Sequence, residues 1–193
     1  MIHHDVLIVG SGVMGVALAS SINSDELSVG IIESNPKPSL SRRHLSINQK
    51  SLNFLKDLDV WKEIEPNAYP YQKIKVWDQE GSGYIEFDSQ EAGIDLLGHI
   101  VSEGQIQKSL IEKLETKKVN FYWNNKLLDI KKNTSDVICT TSNDQISCKF
   151  LIGCDGINSS VRDLGKFKSR SWSYNQTAIV ANLKSPNIDS TIR

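Results

Sequence analysis

The hydrophobic pattern at the start of the chain predicts a strand, a helix and a second strand. A short, continuous apolar run at residues 5–9 ends in glycines, which is typical of a strand buried on both faces of a parallel sheet. Small and apolar residues at 14–22 predict a tightly packed helix, and residues 27–33 predict the second strand. Together they predict a βαβ unit and an α/β fold.

The pattern changes in the middle of the chain. Apolar residues recur near helical spacing at 46–58, which predicts an amphipathic helix. Apolar and polar residues then alternate at 73–78 and 84–88 on either side of Gly81-Ser82-Gly83, and this pattern predicts a hairpin. We expect a second, antiparallel layer to begin here.

Helical and strand patterns continue along the second half of the chain. A further helix is predicted over residues 102–115 because its apolar residues share one face. Four short strands and a short helix are predicted over residues 119–122, 126–132, 137–141, 146–152 and 159–164. Residues 174–183 alternate again and predict another strand.

Composition excludes several classes of protein. The chain has 193 residues, and its 22 Lys and Arg against 23 Asp and Glu leave a net charge of −1, which argues against a nucleic-acid partner. Its three cysteines and four histidines lack the spacing of a metal site or a disulfide framework. No apolar stretch approaches the roughly 18 residues of a membrane span, and the N-terminus leaves no space for a signal peptide. We therefore expect a cytoplasmic protein without a metal site.

A glycine motif lies between the first strand and the first helix. Residues 10–15 read GSGVMG, which matches G-x-G-x-x-G in the strand-to-helix context that gives the motif its meaning. Gly10 permits a tight turn, Gly12 lets the backbone approach a pyrophosphate, and Gly15 allows the helix to pack closely on the strand. The helix N-terminus adds amide donors and a favourable dipole. The motif therefore predicts a dinucleotide site.

An acidic residue ends the second predicted strand. Glu33 follows the glycine motif at about the 20-residue offset of the acid that binds a ribose 2′-hydroxyl. A carboxylate there repels a 2′-phosphate, so FAD or NAD is favoured over NADP. The alternative is a surface glutamate that follows a strand by coincidence.

A second motif follows the apolar strand predicted at 146–152. Asp155-Gly156 comes directly after this strand, and Ser159 and Arg162 follow in the short helix. An Asp at such a corner can face a ligand across the carboxyl edge of the sheet. The alternative is a plain Asp-Gly turn in which Arg162 is a surface cation.

These motifs together resemble a known family. The glycine motif with Glu33, residues 43–48 leading to Val60-Trp61, residues 97–101, Asp155-Gly156 and residues 172–176 occur in the family's order. The chain resembles the N-terminal portion of the ubiquinone-biosynthesis hydroxylases. These are FAD-dependent aromatic monooxygenases related to p-hydroxybenzoate hydroxylase.

The resemblance implies a set of cofactor-binding residues. By position, Gly10, Gly12, Gly15 and Glu33 match the site of the FAD pyrophosphate and ribose, and Arg43 matches a basic residue along the bound nucleotide.

The second half of the implied site follows the apolar strand. Asp155 and Gly156 match the motif that serves both FAD and the transiently bound NAD(P)H. Glu103 falls where relatives often have Asn or Gln near the cofactor, and an acid there would bring negative charge toward the phosphates.

The resemblance also implies a reaction and partners. Family members use NAD(P)H and O2 to hydroxylate the aromatic ring of a ubiquinone precursor. Because the cofactor carries the chemistry, we name no catalytic residue. The polyprenyl tails of such substrates imply peripheral contact with the inner face of the membrane or with other quinone-biosynthesis proteins.

The domain organisation follows from the order of the motifs. We predict a discontinuous Rossmann-like FAD-binding domain over residues 1–72 and 99–168 that lacks its C-terminal segment. Part of an interleaved antiparallel-sheet substrate domain is predicted over residues 73–98 and 169–193, with no later strand to pair with it. An unpaired edge there favours self-association.

Three functions remain open at this point. The first is an FAD-dependent monooxygenase present as a truncated N-terminal portion that is weak or inactive alone. The second is a non-catalytic FAD- or ADP-binding or partner-binding module. The third, which the Asp155-Gly156 motif and Arg43 disfavour, is an NAD-dependent dehydrogenase.

Overall fold

A computed structural model describes residues 1–37, 41, 43–78, 80–179 and 191–192 of the chain. The strands are β1 (Ile2–Val9), β2 (Val29–Ile32), β3 (His44–Ile47), β4 (Tyr69–Tyr71), β5 (Lys73–Trp77), β6 (Tyr84–Asp88), β7 (Gly98–Ser102), β8 (Val119–Tyr122), β9 (Leu127–Lys132), β10 (Val137–Thr141), β11 (Gln145–Gly153) and β12 (Thr191–Ile192). The helices are α1 (Val13–Ser21), α2 (Gln49–Asp57), α3 (Trp61–Ile64), α4 (Glu103–Glu115) and α5 (Ser160–Leu164), and a short 3-10 turn spans Glu65–Asn67.

A six-stranded sheet in the order β8-β2-β1-β11-β10-β9 forms the centre of the fold. Strands β8, β2, β1 and β11 are parallel, and β10 and β9 extend the sheet in antiparallel pairing. The parallel strands and the βαβ unit confirm the predicted α/β fold. Their carboxyl ends meet at one edge of the sheet, where ligands of such folds bind.

Both faces of the sheet are covered, which explains the continuous apolar run in β1. Ile8 packs on one face with α1, α2 and α4, whereas Leu7 packs on the other face with β9, β10 and α5. Both side chains are 0% exposed. Successive residues of a strand point to opposite faces, so a strand buried on both sides must be apolar at every position.

The helix predicted over residues 46–58 is wrong at its start. Residues up to Ile47 belong to β3, which pairs antiparallel with β7 in a three-stranded sheet of order β3-β7-β4. The helix begins after Asn48, whose side-chain oxygen accepts a hydrogen bond of 2.9 Å from the backbone N–H of Ser51. Ile47 is buried in the strand, so its place in the helical spacing was coincidental.

The predicted hairpin is confirmed, and its surroundings differ from the prediction. Strands β5 and β6 pair antiparallel, and β12 adds to β5 in parallel, although no later strand was expected there. The strand predicted over residues 174–183 is wrong for residues 174–179, which lie in no strand, and residues 180–183 lie outside the described residues. Tyr174 and Ile179 are 75% and 91% exposed, so the alternating pattern there has no buried face to fill.

No helix in the described part of the chain combines the length and the apolar character that a membrane crossing requires. The predicted division into domains stays a prediction.

Candidate functional site

A cavity of about 420 Å³ opens at the carboxyl ends of β1, β2 and β11. The structure brings five of the predicted site residues together in its lining, namely Gly10, Gly12, Glu33, Asp155 and Gly156. The other lining residues are Val9, Ile32, Ser34, Asn35, Asn125, Lys126, Leu127, Cys154, Asn158 and Ser160.

Two of the motif glycines are required by close packing. Gly10 has a φ of +102°, and a Cβ there would lie 2.4 Å from the carbonyl oxygen of Cys154. A Cβ on Gly15 would lie 2.0 Å from the carbonyl oxygen of Gly10. The glycine turn, the start of α1 and the Asp-Gly turn therefore touch one another, and any side chain at these two positions would push them apart.

Gly12 differs from the other two glycines. A Cβ on Gly12 would meet no atom within 4 Å, and the residue lines the cavity and precedes the first turn of α1 without a side-chain cap. The first amide groups of a helix have no intrahelical acceptor and carry the positive end of its dipole. This space and these donors fit the pyrophosphate of FAD.

Glu33 is held in an ionised state at the end of β2. One carboxylate oxygen accepts hydrogen bonds from the backbone N–H and the hydroxyl of Ser11, both 2.9 Å long. The other oxygen accepts from the backbone N–H and side chain of Asn35 at 2.9 and 3.0 Å. Burial raises the pKa of Glu33, but these hydrogen bonds outweigh it and the net pKa lies below the ordinary 4.5. These four donors fill the acceptor sites of the carboxylate, so a ribose diol would bind it by displacing a side-chain donor such as the Ser11 hydroxyl or the Asn35 amide.

Asp155 joins the cavity to the first turn of α5. Its carboxylate accepts hydrogen bonds from the hydroxyls of Ser159 and Ser160 at 2.5 and 2.8 Å, and from the backbone N–H of Val161 at 3.1 Å. Burial raises the pKa of Asp155, yet the hydrogen bonds outweigh it and keep the net pKa below 3.8. Asp155 therefore fixes the turn that packs against Gly10, and Arg162 caps a nearby carbonyl, that of Ile157, at 2.8 Å.

Arg43 lies outside the cavity lining. Its Nε is 3.5 Å from a carboxylate oxygen of Glu103, and the same oxygen accepts a hydrogen bond of 2.9 Å from the hydroxyl of Ser41. The role predicted for Arg43 in nucleotide binding stays a prediction.

Sequence reasoning missed several residues of the cavity and its support. Asn125 and Lys126 line it from the loop after β8, and Asn125 donates its backbone N–H to the carbonyl oxygen of Glu33 at 2.8 Å. Gln107 of α4 donates its side-chain N–H to the carbonyl oxygen of Ser11 at 2.7 Å. The sequence does carry a signal for Asn125 and Lys126, because a polar run follows the strand predicted over residues 119–122. Only the pairing of β8 with β2 shows that this strand ends at the cavity.

The model of a family described as an FAD binding domain matches residues 3–192. The chain belongs to this FAD-binding domain family. The match confirms the predicted family and FAD as its cofactor.

Several curated relatives carry the names of ubiquinone-biosynthesis enzymes. The 3-demethoxyubiquinol 3-hydroxylase of Escherichia coli (strain K12) is 28% identical over 192 residues, which cover 95% of this chain and 49% of the relative. The mitochondrial ubiquinone biosynthesis monooxygenase COQ6 of Xenopus tropicalis is 29% identical over 203 residues, which cover 93% of this chain and 43% of the relative. The chain thus spans about half the length of the curated relatives it matches.

Solved structures of flavin monooxygenases share the fold. The p-nitrophenol 4-monooxygenase PnpA of Pseudomonas putida DLL-E4 has a TM-score of 0.74 at 21% identity, with 85% of this chain and 44% of that chain covered. The flavin-dependent monooxygenase PieE, solved with FAD and substrate, has a TM-score of 0.71 at 17% identity, with 86% and 32% covered. These likenesses confirm the fold class.

Proposed function

We propose that the chain is the FAD-binding part of an FAD-dependent monooxygenase that hydroxylates the aromatic ring of a ubiquinone precursor with NAD(P)H and O2. Membership of the FAD-binding domain family and the ubiquinone-biosynthesis relatives support this function. The observation that carries it is the convergence of the glycine turn, Glu33 and the Asp-Gly turn on one cavity. Bound FAD would supply the oxygen-transfer chemistry, which no side chain can provide.

The residues of the chain would bind and orient the cofactor. Glu33 would accept hydrogen bonds from the ribose hydroxyls, and the amide groups beside Gly12 would donate to the pyrophosphate. Asp155 would keep the Asp-Gly turn against Gly10, so that this wall of the cavity stays in place. Lys126, which also lines the cavity, would add a positive charge beside the carboxylates of Glu33 and Asp155.

We further propose the domain organisation predicted from the sequence. Residues 1–72 and 99–168 would form the FAD-binding domain, and residues 73–98 and 169–193 part of a substrate domain. The separate sheet formed by β5, β6 and β12 supports this division.

Two measurements on the purified chain test the function. Quenching of flavin fluorescence should report FAD binding, and Glu33→Gln should weaken it, whereas Glu112→Gln, an exposed acid on α4, should not. Oxygen consumption with NADH or NADPH and a phenolic quinone precursor should be slow. An absence of FAD binding would contradict the proposal, and rapid turnover would contradict the expectation that this chain alone hydroxylates poorly.

A non-catalytic nucleotide-binding module is the second candidate. The observation that favours it is that the cavity is formed by the elements that bind the ADP half of a dinucleotide. FAD and ADP would then bind with equal affinity, and NAD(P)H would cause no oxygen consumption. An NAD-dependent dehydrogenase is disfavoured by the family match.

Partners and location are also proposals. A polyprenylated aromatic substrate would bring the chain to the inner face of the membrane or to other quinone-biosynthesis proteins, with the cytoplasm as its compartment. The apolar side chains exposed on the β5–β6 hairpin support contact with such a surface or self-association.

A further inference from the structure

A second cavity, of about 450 Å³, lies on the face of the central sheet opposite α1, α2 and α4. Its walls are formed by β9, β10, β11, α5 and the turn that follows α5. It shares no described lining residue with the first cavity, which Glu33 and Asp155 line. Cavities that bind small molecules enclose about 300–1,000 Å³, so this one has room for a ligand of its own.

Most of the lining of the second cavity is apolar. Its aliphatic side chains are Ile130, Val137, Leu151, Val161 and Leu164. All of them except Val161 are only partly buried, although they pack against the core cluster on this face of the sheet. The ring of Phe167 adds to the lining and is held close to Gly165, where a Cβ would lie 2.7 Å from a ring carbon. A concave surface of partly exposed apolar side chains favours an apolar ligand.

Lys132 occupies a position of β9 that faces this cavity. Successive residues of a strand point to opposite faces, so Lys132 shares the face of Ile130, whereas Lys131 points away. Ile130 packs against the core cluster, which identifies its face as the inner one. In the pairing of β9 with β10, Lys132 lies opposite Val137, another lining residue. The strand therefore places a lysine side chain at the edge of an apolar cavity.

Two lysines give the second cavity its charge. Lys166 reaches the cavity from the turn after α5, where its backbone N–H donates to the carbonyl oxygen of Asp163 at 3.2 Å. The side chains of Lys132 and Lys166 form no hydrogen bond or ion pair with any residue that the structure describes. The described lining also contains no acidic residue. Two uncompensated cations beside an apolar surface favour a ligand that carries a negative charge at one end.

We propose that the second cavity binds an amphipathic anion, namely a medium-chain fatty acid. The alkyl chain lies against the aliphatic side chains of the lining, and the carboxylate pairs with the ammonium groups of Lys132 and Lys166. This site is separate from the nucleotide site, and it does not depend on the proposed function.

Isothermal titration calorimetry with decanoate, below the concentration at which decanoate forms micelles, tests the proposal. About one decanoate should bind per chain, as expected for a single cavity of this size. Octanoate, with a shorter alkyl chain, should bind about 10-fold more weakly, because each buried methylene contributes to affinity. Decanol, which lacks the charge, should bind about 5- to 10-fold more weakly than decanoate at low salt. Absence of saturable decanoate binding, or equal affinity for decanoate and decanol, overturns the proposal.

Substitution of the lysines locates the bound decanoate. Lys132→Gln and Lys166→Gln should each weaken decanoate binding about 3- to 10-fold at low salt, because each removes one charged partner of the carboxylate. The matched control is Lys131→Gln, which removes the same charge from the outer face of β9 and should change the affinity by less than about 2-fold. Circular dichroism verifies the fold of each variant. Equal effects of Lys131→Gln and Lys132→Gln overturn the proposal.

Two further controls test whether decanoate binds at another surface. Phe87→Ser, which alters the exposed apolar face of the β5–β6 hairpin, should leave the affinity for decanoate unchanged. Saturating FAD should also leave it unchanged, because the two cavities share no described lining residue. A loss of decanoate binding in either experiment places the ligand elsewhere and overturns the proposal. Failure of the chain to bind FAD contradicts the proposed function alone.

Discussion

The nucleotide region and the β5–β6 hairpin are built from similar strands but stabilised differently. In the six-stranded sheet, Leu7, Ile8 and Ile31 are 0% exposed, because helices and the antiparallel strands cover both faces. In the hairpin, Ile85 and Phe87 are 60% and 53% exposed. Apolar burial stabilises the first region, whereas the second leaves its apolar side chains to water.

The alternation of side chains explains what stabilises the hairpin. One face carries ion pairs, in which Lys73 lies 2.7 Å from Asp88 and Lys75 lies 3.2 Å from Glu86. The other face carries the exposed apolar residues, since Phe87 lies between Glu86 and Asp88 in β6. Partly exposed ion pairs contribute little, so we expect the hairpin to depend on contacts with a partner surface far more than the nucleotide region does.

The glycine turn offers the largest test of the nucleotide region. Gly15→Ala should lower the free energy of unfolding by about 3 kcal/mol, because its Cβ would overlap the carbonyl oxygen of Gly10 in a packed region. Gly12→Ala is the matched control: it should leave stability nearly unchanged and weaken FAD binding, since its Cβ points into open space. Urea unfolding followed by circular dichroism gives the free energy of unfolding of both variants, and quenching of flavin fluorescence gives their FAD affinity. Equal unfolding midpoints for the two variants would contradict the packing argument.

Glu33 should dominate the affinity for the cofactor. Glu33→Gln should weaken FAD binding about 10- to 100-fold, since hydrogen bonds to a charged acceptor contribute about 1.5–3 kcal/mol. The change also replaces one of the two carboxylate oxygens with an NH2 donor, so the donors of either Ser11 or Asn35 lose their acceptor. Titration of FAD fluorescence measures the effect, with Glu112→Gln as the control. An effect below about 2-fold would show that the carboxylate does not face the ribose.

Acid should destabilise the nucleotide region through its two carboxylates. The folded-state pKa values of Glu33 and Asp155 lie below their ordinary values, so the unfolded chain binds more protons than the folded chain as the pH falls. The stability that they contribute is present above about pH 5 and is lost as the pH drops through the folded-state pKa values. Urea midpoints at a series of pH values should therefore fall on acidification. Asp155→Asn should make the urea midpoint depend less steeply on pH. An unchanged slope would contradict a contribution of the Asp155 carboxylate to this acid sensitivity.

The hairpin should show the smallest effect on stability. Phe87→Ser should change the free energy of unfolding by less than about 0.5 kcal/mol, because the side chain is mostly exposed. It should nevertheless reduce self-association, which sedimentation velocity measures. The buried counterpart Leu7→Ala should cost about 2–5 kcal/mol. A large loss of stability for Phe87→Ser would mean that apolar burial stabilises the hairpin as well as the nucleotide region.

The boundaries that sequence reasoning missed have a common physical cause. The helix predicted over residues 46–58 began too early, because Ile47 fits helical spacing and is buried by strand pairing with β7. Residues 174–179 alternate as a strand does, but within the described residues no strand pairs with them, and Tyr174 and Ile179 stay exposed. In both cases the pattern records apolar residues, and long-range pairing decides which element they form.

Local sequence determined the parts of the site that depend on backbone conformation and short spacing. The glycine turn, the acid at the end of β2 and the Asp-Gly turn were predicted because each needs particular residue types within a few positions of one another. The family followed from the order of these motifs, and the family match confirms it.

Only the tertiary structure decided which distant residues join the site. The pairing of β8 with β2 brings Asn125 and Lys126 to the cavity, and α4 brings Gln107 beneath the glycine turn. The tertiary structure also places the Arg43 side chain beside Glu103, and Arg43 is not among the residues that line the cavity. Strand order and helix packing are properties of contacts between residues far apart in the chain, so neither spacing nor composition can specify them.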